Sequence, residues 1–177
     1  MITNLFEIEM IQMIYILIEI IIICVFFTFV VIIGTKKNPL NGLHNLPLKI
    51  QQRVASLPQY QDIKILSTKE RIIKKLPALF IVLFIFLGLV VLAEAKSFQE
   101  GFLYAFIIWF IVKLYVVIVL NCFWYAHHSQ YWIKGTEDLK AEYQNYKFYF
   151  QSIPRSLVAG CIVSLLIGLI ILFINKI

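Results

Sequence analysis

Four apolar runs, each about as long as a bilayer is thick, constrain what this chain can fold into more than any other feature. They cover residues 10–34, 76–95, 101–125 and 156–174. Crossing a hydrocarbon core takes roughly 20 helical residues. Lipid offers backbone groups no hydrogen-bond partners, so each run has to satisfy its own as a helix. Interruptions are few. Gln12 and Glu19 fall in the first run, Glu94 near the end of the second and Lys113 in the third, while the fourth carries no charge. The composition agrees: of 177 residues 61% are hydrophobic and 15% charged, and the mean hydropathy is +0.86. A soluble domain is roughly half apolar and a quarter charged. The expected class is an all-α membrane protein, a single membrane domain over residues 1–177 with four transmembrane helices and short amphipathic cytoplasmic helices. Residues 1–9 are acidic and lack the basic start of a signal peptide, and the run behind them is too long for one, so it is expected to stay as a span.

Orientation follows from the basic residues. Segment 35–75 holds nine Lys and Arg and segment 126–155 holds four, against only Lys96 and Lys176 on the other side. The positive-inside rule then places both segments in the cytoplasm and both termini outside a cell (plasma) membrane. Beside four spans, anionic lipid headgroups explain the basic loops without invoking nucleic acid.

Both segments are patterned. In the first, Asn45 with Pro47 reads as a helix start. Ile50, Val54 and Leu57 then recur at helical spacing, with Pro58 closing the run. With Lys49 and Arg53 on its polar side, this reads as an interfacial basic helix lying on the inner membrane surface. Ser67-Thr68-Lys69-Glu70 matches a capping box, so the second membrane helix starts ahead of the lipid, with Pro77 bending it near the interface. In the second segment a turn is expected at Gly135-Thr136. Thr136 would cap a helix with Leu139, Tyr143, Tyr146 and Phe150 on one stripe, among the interfacial aromatics Trp124, Tyr125, Tyr131 and Trp132.

A charge inside a span is costly unless paired, and two stand there. Glu19 is 15 residues from Gly34 and Lys113 is 12 from Tyr125. At about 1.5 Å per residue their depths differ by roughly 4–5 Å, within reach of an intramembrane ion pair. Separate snorkelling is the alternative. Gly160, Ser164 and Gly168 form a small-residue face on the fourth run, suited to close helix packing within the chain or between copies. His127 and His128, with Glu137 and Asp138, are the candidate catalytic groups: imidazole and carboxylate at headgroup level suit acid–base work on lipid, or simple solvation. Their spacing matches no metal motif, and no Walker loop, nucleophile elbow or dinucleotide fingerprint is present, so no metal or other cofactor is expected. Cys24, Cys122 and Cys161 lie in or beside apolar runs without CxxC spacing and read as packing residues.

Two stretches carry a resemblance. One is Asn38-Pro39-Leu40-Asn41-Gly42-Leu43-His44-Asn45-Leu46-Pro47, continued by Ile50-Gln51-Gln52-Arg53-Val54 and Ser56-Leu57-Pro58-Gln59-Tyr60. The other is His128-Ser129 with Ile133-Lys134-Gly135-Thr136-Glu137-Asp138. Together they resemble an uncharacterised family of small multi-pass, permease-like membrane proteins of Gram-positive bacteria. The resemblance implies a shared functional surface on these two stretches and names no chemistry. Where the family pattern tends to acidic residues this chain has Tyr115 and Asn121, and where it tends to proline this chain has Lys134, which weakens the transfer of any acid- or metal-dependent role.

The functional expectation is a non-catalytic permease-like or accessory subunit that docks a cytoplasmic protein partner or a second copy. The alternative is a small membrane enzyme acting on lipid headgroups. A transporter built on Glu19 and Lys113 ranks below both, because four spans form a substrate path only as an oligomer.

Overall fold

Two serines begin two of the long helices by the same chemistry. Ser67 Oγ accepts the Glu70 N–H at 3.3 Å while Glu70 Oε2 accepts the Ser67 N–H at 2.8 Å, the reciprocal capping box expected there. Ser97 Oγ accepts the Glu100 N–H at 3.2 Å, and Glu100 Oε2 accepts the Lys96 N–H at 2.7 Å. These bonds satisfy donors that a helix start otherwise leaves open. A computed structural model describes residues 2–61, 63 and 65–176, with side chains from residue 14 onward except that of Thr68. In it the first long helix, α1, is Ile2–Lys37. The capped helices are α3, Thr68–Leu92, and α4, Phe98–Tyr115. The last, α7, is Ser152–Ile174. The chain is all-α, with no strand among the described residues, and four of its helices are long and apolar enough to cross a membrane.

A feature without a sequence signal follows α4. The helix runs on through Val116–Tyr125 in π geometry, closing with Ala126 N–H on Asn121 O at 3.1 Å. Such windings are rare and usually single turns.

The bundle is held mainly by α4 against α7, its most extensive interface. The small-residue face makes that contact. A Cβ on Gly160 would lie 2.4 Å from the Trp109 ring, and one on Gly168 would lie 2.9 Å from the Phe98 carbonyl oxygen. Trp109 is fixed there by donating from Nε1 to Ser156 O at 2.9 Å. Around this seam Ile20, Ile23, Phe86, Ala105, Ile108, Val163, Ile167 and Ile171 form the core. Ile21, Phe29, Phe84 and Phe173 are more than 60% exposed, as suits side chains facing lipid rather than water. The three cysteines are free, with Cys24 and Cys122 buried in the packing and Cys161 partly so.

The segments at the basic end depart from expectation in three places. Asn45 does not cap the amphipathic helix. It ends a 3-10 helix, Pro39–Asn45, and the next helix, α2, spans Leu48–Ser56 behind Pro47 without a side-chain cap. Nor does α2 lay its apolar face on lipid: Ile50 and Val54 are completely buried within the protein. The stripe from Leu139 to Phe150 is not one helix. It breaks into a 3-10 turn at Glu137–Leu139 and two short helices, α5 at Lys140–Tyr143 and α6 at Tyr146–Phe150, with Tyr143 buried and Tyr146 exposed. Thr136 fails as a cap because its hydroxyl is already engaged, donating to Ile133 O at 2.6 Å.

Candidate functional site

The two basic-end segments close on each other as a cap over the bundle. From the first come Leu43, Leu46, Ile50 and Val54, and from the second Trp132, Ile133 and Tyr143, with Tyr125 rising from the end of the π stretch. The centre of the cap is aromatic. Trp132 and Tyr143 stack with ring centroids 4.4 Å apart and planes 1° from parallel, and Trp132 Nε1 donates to Tyr125 O at 3.0 Å. The Tyr143 hydroxyl accepts the Ile133 N–H at 3.2 Å and donates to Thr136 Oγ1 at 2.8 Å. Tyr149 OH then donates to Tyr143 O at 3.0 Å. Burying a phenol without partners is costly, so this closed set fixes one arrangement of the loop. Burial raises the Tyr143 pKa, keeping the group a neutral donor.

Polar contacts stitch the rim. Lys49 pairs with Glu142 at 2.5 Å and Arg53 with Asp138 at 3.3 Å. The turn expected at Gly135 is there, with φ +86°, and Leu57 and Gln59 lie against it. A Cβ would sit 2.8 Å from Leu57, and Gln59 Nε2 donates to Lys134 O at 3.3 Å. Thus Lys49 and Arg53 serve as ties to the second segment.

The histidine and carboxylate candidates do not converge. His127 Nδ1 lies 3.0 Å from the Cys122 and Phe123 carbonyl oxygens, with Nε2 3.2 Å from Tyr146 OH. His128 Nδ1 lies 2.6 Å from Trp124 O, its ring stacked on that indole. Glu137 turns back to accept the Gly135 N–H at 2.9 and 3.1 Å, and Asp138 faces Arg53. Hydrogen bonds from its own and the Gly135 backbone N–H hold the Glu137 carboxyl below the usual carboxylate range. Among the described residues no group of three His, Cys, Asp or Glu is placed to hold a metal.

Beneath the cap the intramembrane polar groups pair differently from the expected bridge. Glu19 Oε2 accepts from Tyr104 OH, and Thr28 Oγ1, donating to Cys24 O at 2.8 Å, accepts from Tyr115 OH at 2.7 Å. Glu19 is therefore level with Tyr104, nine residues and about 13 Å along α4 from Lys113. The expected Glu19–Lys113 ion pair does not form, because Glu19 meets α4 at Tyr104 and Lys113 lies more than two turns further along that helix.

Lys113 instead belongs to a cluster of cations. It lies within electrostatic range of Lys75, which is itself within range of Arg71. Lys75 Nζ donates to Asn45 Oδ1 at 3.1 Å. Arg71 donates from Nε to Leu66 O at 2.9 Å and from Nη2 to Gln51 Oε1 at 3.0 Å. Half-buried His44 completes the group, and its pKa is lowered by burial and by Lys74, Arg71 and Lys75. Sequence reading missed Gln51, Arg71 and Lys75 as a unit. Gln51 is 2% exposed and gives Leu46 O a 2.6 Å hydrogen bond, yet a glutamine inside a basic amphipathic helix carries no such signal.

Comparison of the chain with protein-family models, curated proteins and solved structures finds no match. The functional reading therefore rests on the chemistry of the chain itself.

Proposed function

We propose that this membrane-embedded protein is a permease-like or accessory subunit whose basic end faces the cytoplasm of a plasma membrane and docks a protein partner. The observation that carries the reading is the cap. Segments that basic loops usually leave loose are here locked by the Trp132–Tyr143 stack and its hydrogen bonds. Such order gives a surface that needs no folding on contact, which lowers the cost of binding. The exposed residues of these segments include apolar Leu48 at 54%, Tyr146 at 42% and Phe150 at 46%, and polar Gln52, Lys140 and Lys147. Aromatic anchors within a polar rim are the usual composition of a docking patch. The headgroup-enzyme alternative has less behind it, because His127, His128, Glu137 and Asp138 are each engaged in separate local contacts.

The test is native mass spectrometry of the tagged protein extracted gently from its own membranes, alongside Tyr146→Ala and Phe150→Ala. A stoichiometric protein partner that both variants lose, with thermal stability unchanged, supports the reading. A chain found without a protein partner, or a partner retained equally by the variants, removes it.

A further inference from the structure

An apolar cleft of about 260 Å³ opens between α1 and α3, walled by Ile22, Phe26 and Phe27 on one side and Val82, Phe86 and Leu89 on the other. No polar surface lines it. Counted along α3, Lys75, Leu79, Val82, Phe86 and Leu89 recur at the four- and three-residue steps of one helix face. Lys75 therefore shares the helix face of the cleft wall, about two turns toward the basic end from Val82. From Lys75 to Leu89 the helix rises about 21 Å, close to the half-thickness of a bilayer with its headgroups.

Below the cleft, at the basic end, the structure gathers cations. Among the described residues, the charges that act on His44, Lys75 and Lys113 are those of Arg71, Lys74 and Lys75. Neither of the ion pairs described above, Lys49–Glu142 and Arg53–Asp138, involves Arg71, Lys74, Lys75 or Lys113. His44 Nδ1 is buried with no hydrogen-bond partner among the described residues. A half-buried lysine such as Lys113, inside a span and within electrostatic range of another lysine, calls for an anion.

We propose that the cleft and the cluster are two halves of one site for an anionic phospholipid, its phosphate between Lys75 and Lys113 and one acyl chain along the α1–α3 wall. Arg71 and Lys74 surround the phosphate. Arg71 is held in place by Leu66 O and Gln51 Oε1, which are neutral and leave its charge uncancelled. Basic pockets between membrane helices at headgroup level recognise such lipids. The occupant has to be amphiphilic, since a soluble phosphate would leave the apolar wall empty.

The experiment is lipid titration of the delipidated full chain in a neutral detergent, read by native mass spectrometry and thermal stability. The probes are phosphatidylglycerol, phosphatidylcholine with the same acyl chains, and inorganic phosphate. Phosphatidylglycerol should be retained about tenfold or more over phosphatidylcholine, given two lysines on one phosphate group. Inorganic phosphate should neither stabilise the chain nor displace the lipid. Lys75→Gln with Lys113→Gln should reduce the preference to near unity. Ile22→Trp, which fills the cleft and leaves every charge in place, should weaken both lipids together. Equal retention of the two lipids by the unaltered chain overturns the proposal, whether or not the double variant folds. So does displacement by inorganic phosphate, which assigns the cluster to a soluble anion, and so does full lipid retention by Ile22→Trp.

Discussion

At the scale of single residues, the polar groups inside the bundle are the most sensitive to change. Tyr104→Phe removes the donor to Glu19, and a carboxyl left without its partner should cost about 1–3 kcal/mol. Glu19→Gln keeps an acceptor and should cost less. Melting curves in one detergent compare them, and a Tyr104→Phe protein as stable as the parent would dismiss the contact. Glu94 is the one described residue other than glycine with positive φ, at 55°, in the turn between α3 and α4. That conformation costs a side chain of this kind roughly 1–2 kcal/mol, so Glu94→Gly should raise the melting temperature; a decrease would show that the carboxylate contributes more than the strain. His44 gives a dependence on pH. Burial and three cations lower its folded pKa below the ordinary 6.5, so the unfolded chain binds the proton more readily. Stability is then full above about pH 6.5 and declines as pH falls through the lowered value. Melting points between pH 5 and 7.5 should show this slope, and His44→Asn should flatten it. Glu19 was legible as an isolated intramembrane acid. Its partner was not, because nothing in the spelling of Tyr104 separates a hydrogen-bond donor from an interfacial aromatic.

Among the elements, what could be read depended on whether a signal is local. The capping box at Ser67 is local and appears as read. The four apolar runs correspond to four long helices, since length and hydropathy alone specify a span. The amphipathic period of α2 was also legible, but not what it buries against: a basic helix with an apolar stripe looks the same to lipid and to Trp132. The π stretch left no trace in the sequence, where residues 116–125 read as a plain continuation of the apolar run. The α4–α7 seam is where an element-level change has the clearest outcome. Gly160→Ala forces a methyl into the space of the Trp109 ring and should destabilise by about 1–3 kcal/mol, as overpacking does. A fluorescence change at Trp109 should accompany it. Unchanged melting and emission would mean that the helices do not approach as closely as Gly160 suggests.

For the molecule as a whole, the cap is the part that sequence separated and folding joined. Its rim pairs are exposed and individually weak, so Arg53→Ala should cost no more than about 0.5 kcal/mol. Its centre is different: Trp132→Ala removes the stack and leaves a void, and should cost about 3–5 kcal/mol. Hydrogen exchange localises the effect, with residues 38–60 losing protection in Trp132→Ala and keeping it in Arg53→Ala. Equal protection in both would mean that each segment is ordered on its own. The cap also sets an order of events during synthesis. Lys49 and its partner Glu142 are 93 positions apart, with the next two spans between them. While the ribosome completes those spans, Ile50 and Val54 have no Trp132 or Tyr143 to cover them. The nascent α2 is then a free amphipathic helix beside a bilayer, and the membrane surface that the finished protein does not need becomes its temporary shelter. Release from that shelter coincides with the emergence of the second segment, so cap closure reports that both hairpins have been inserted.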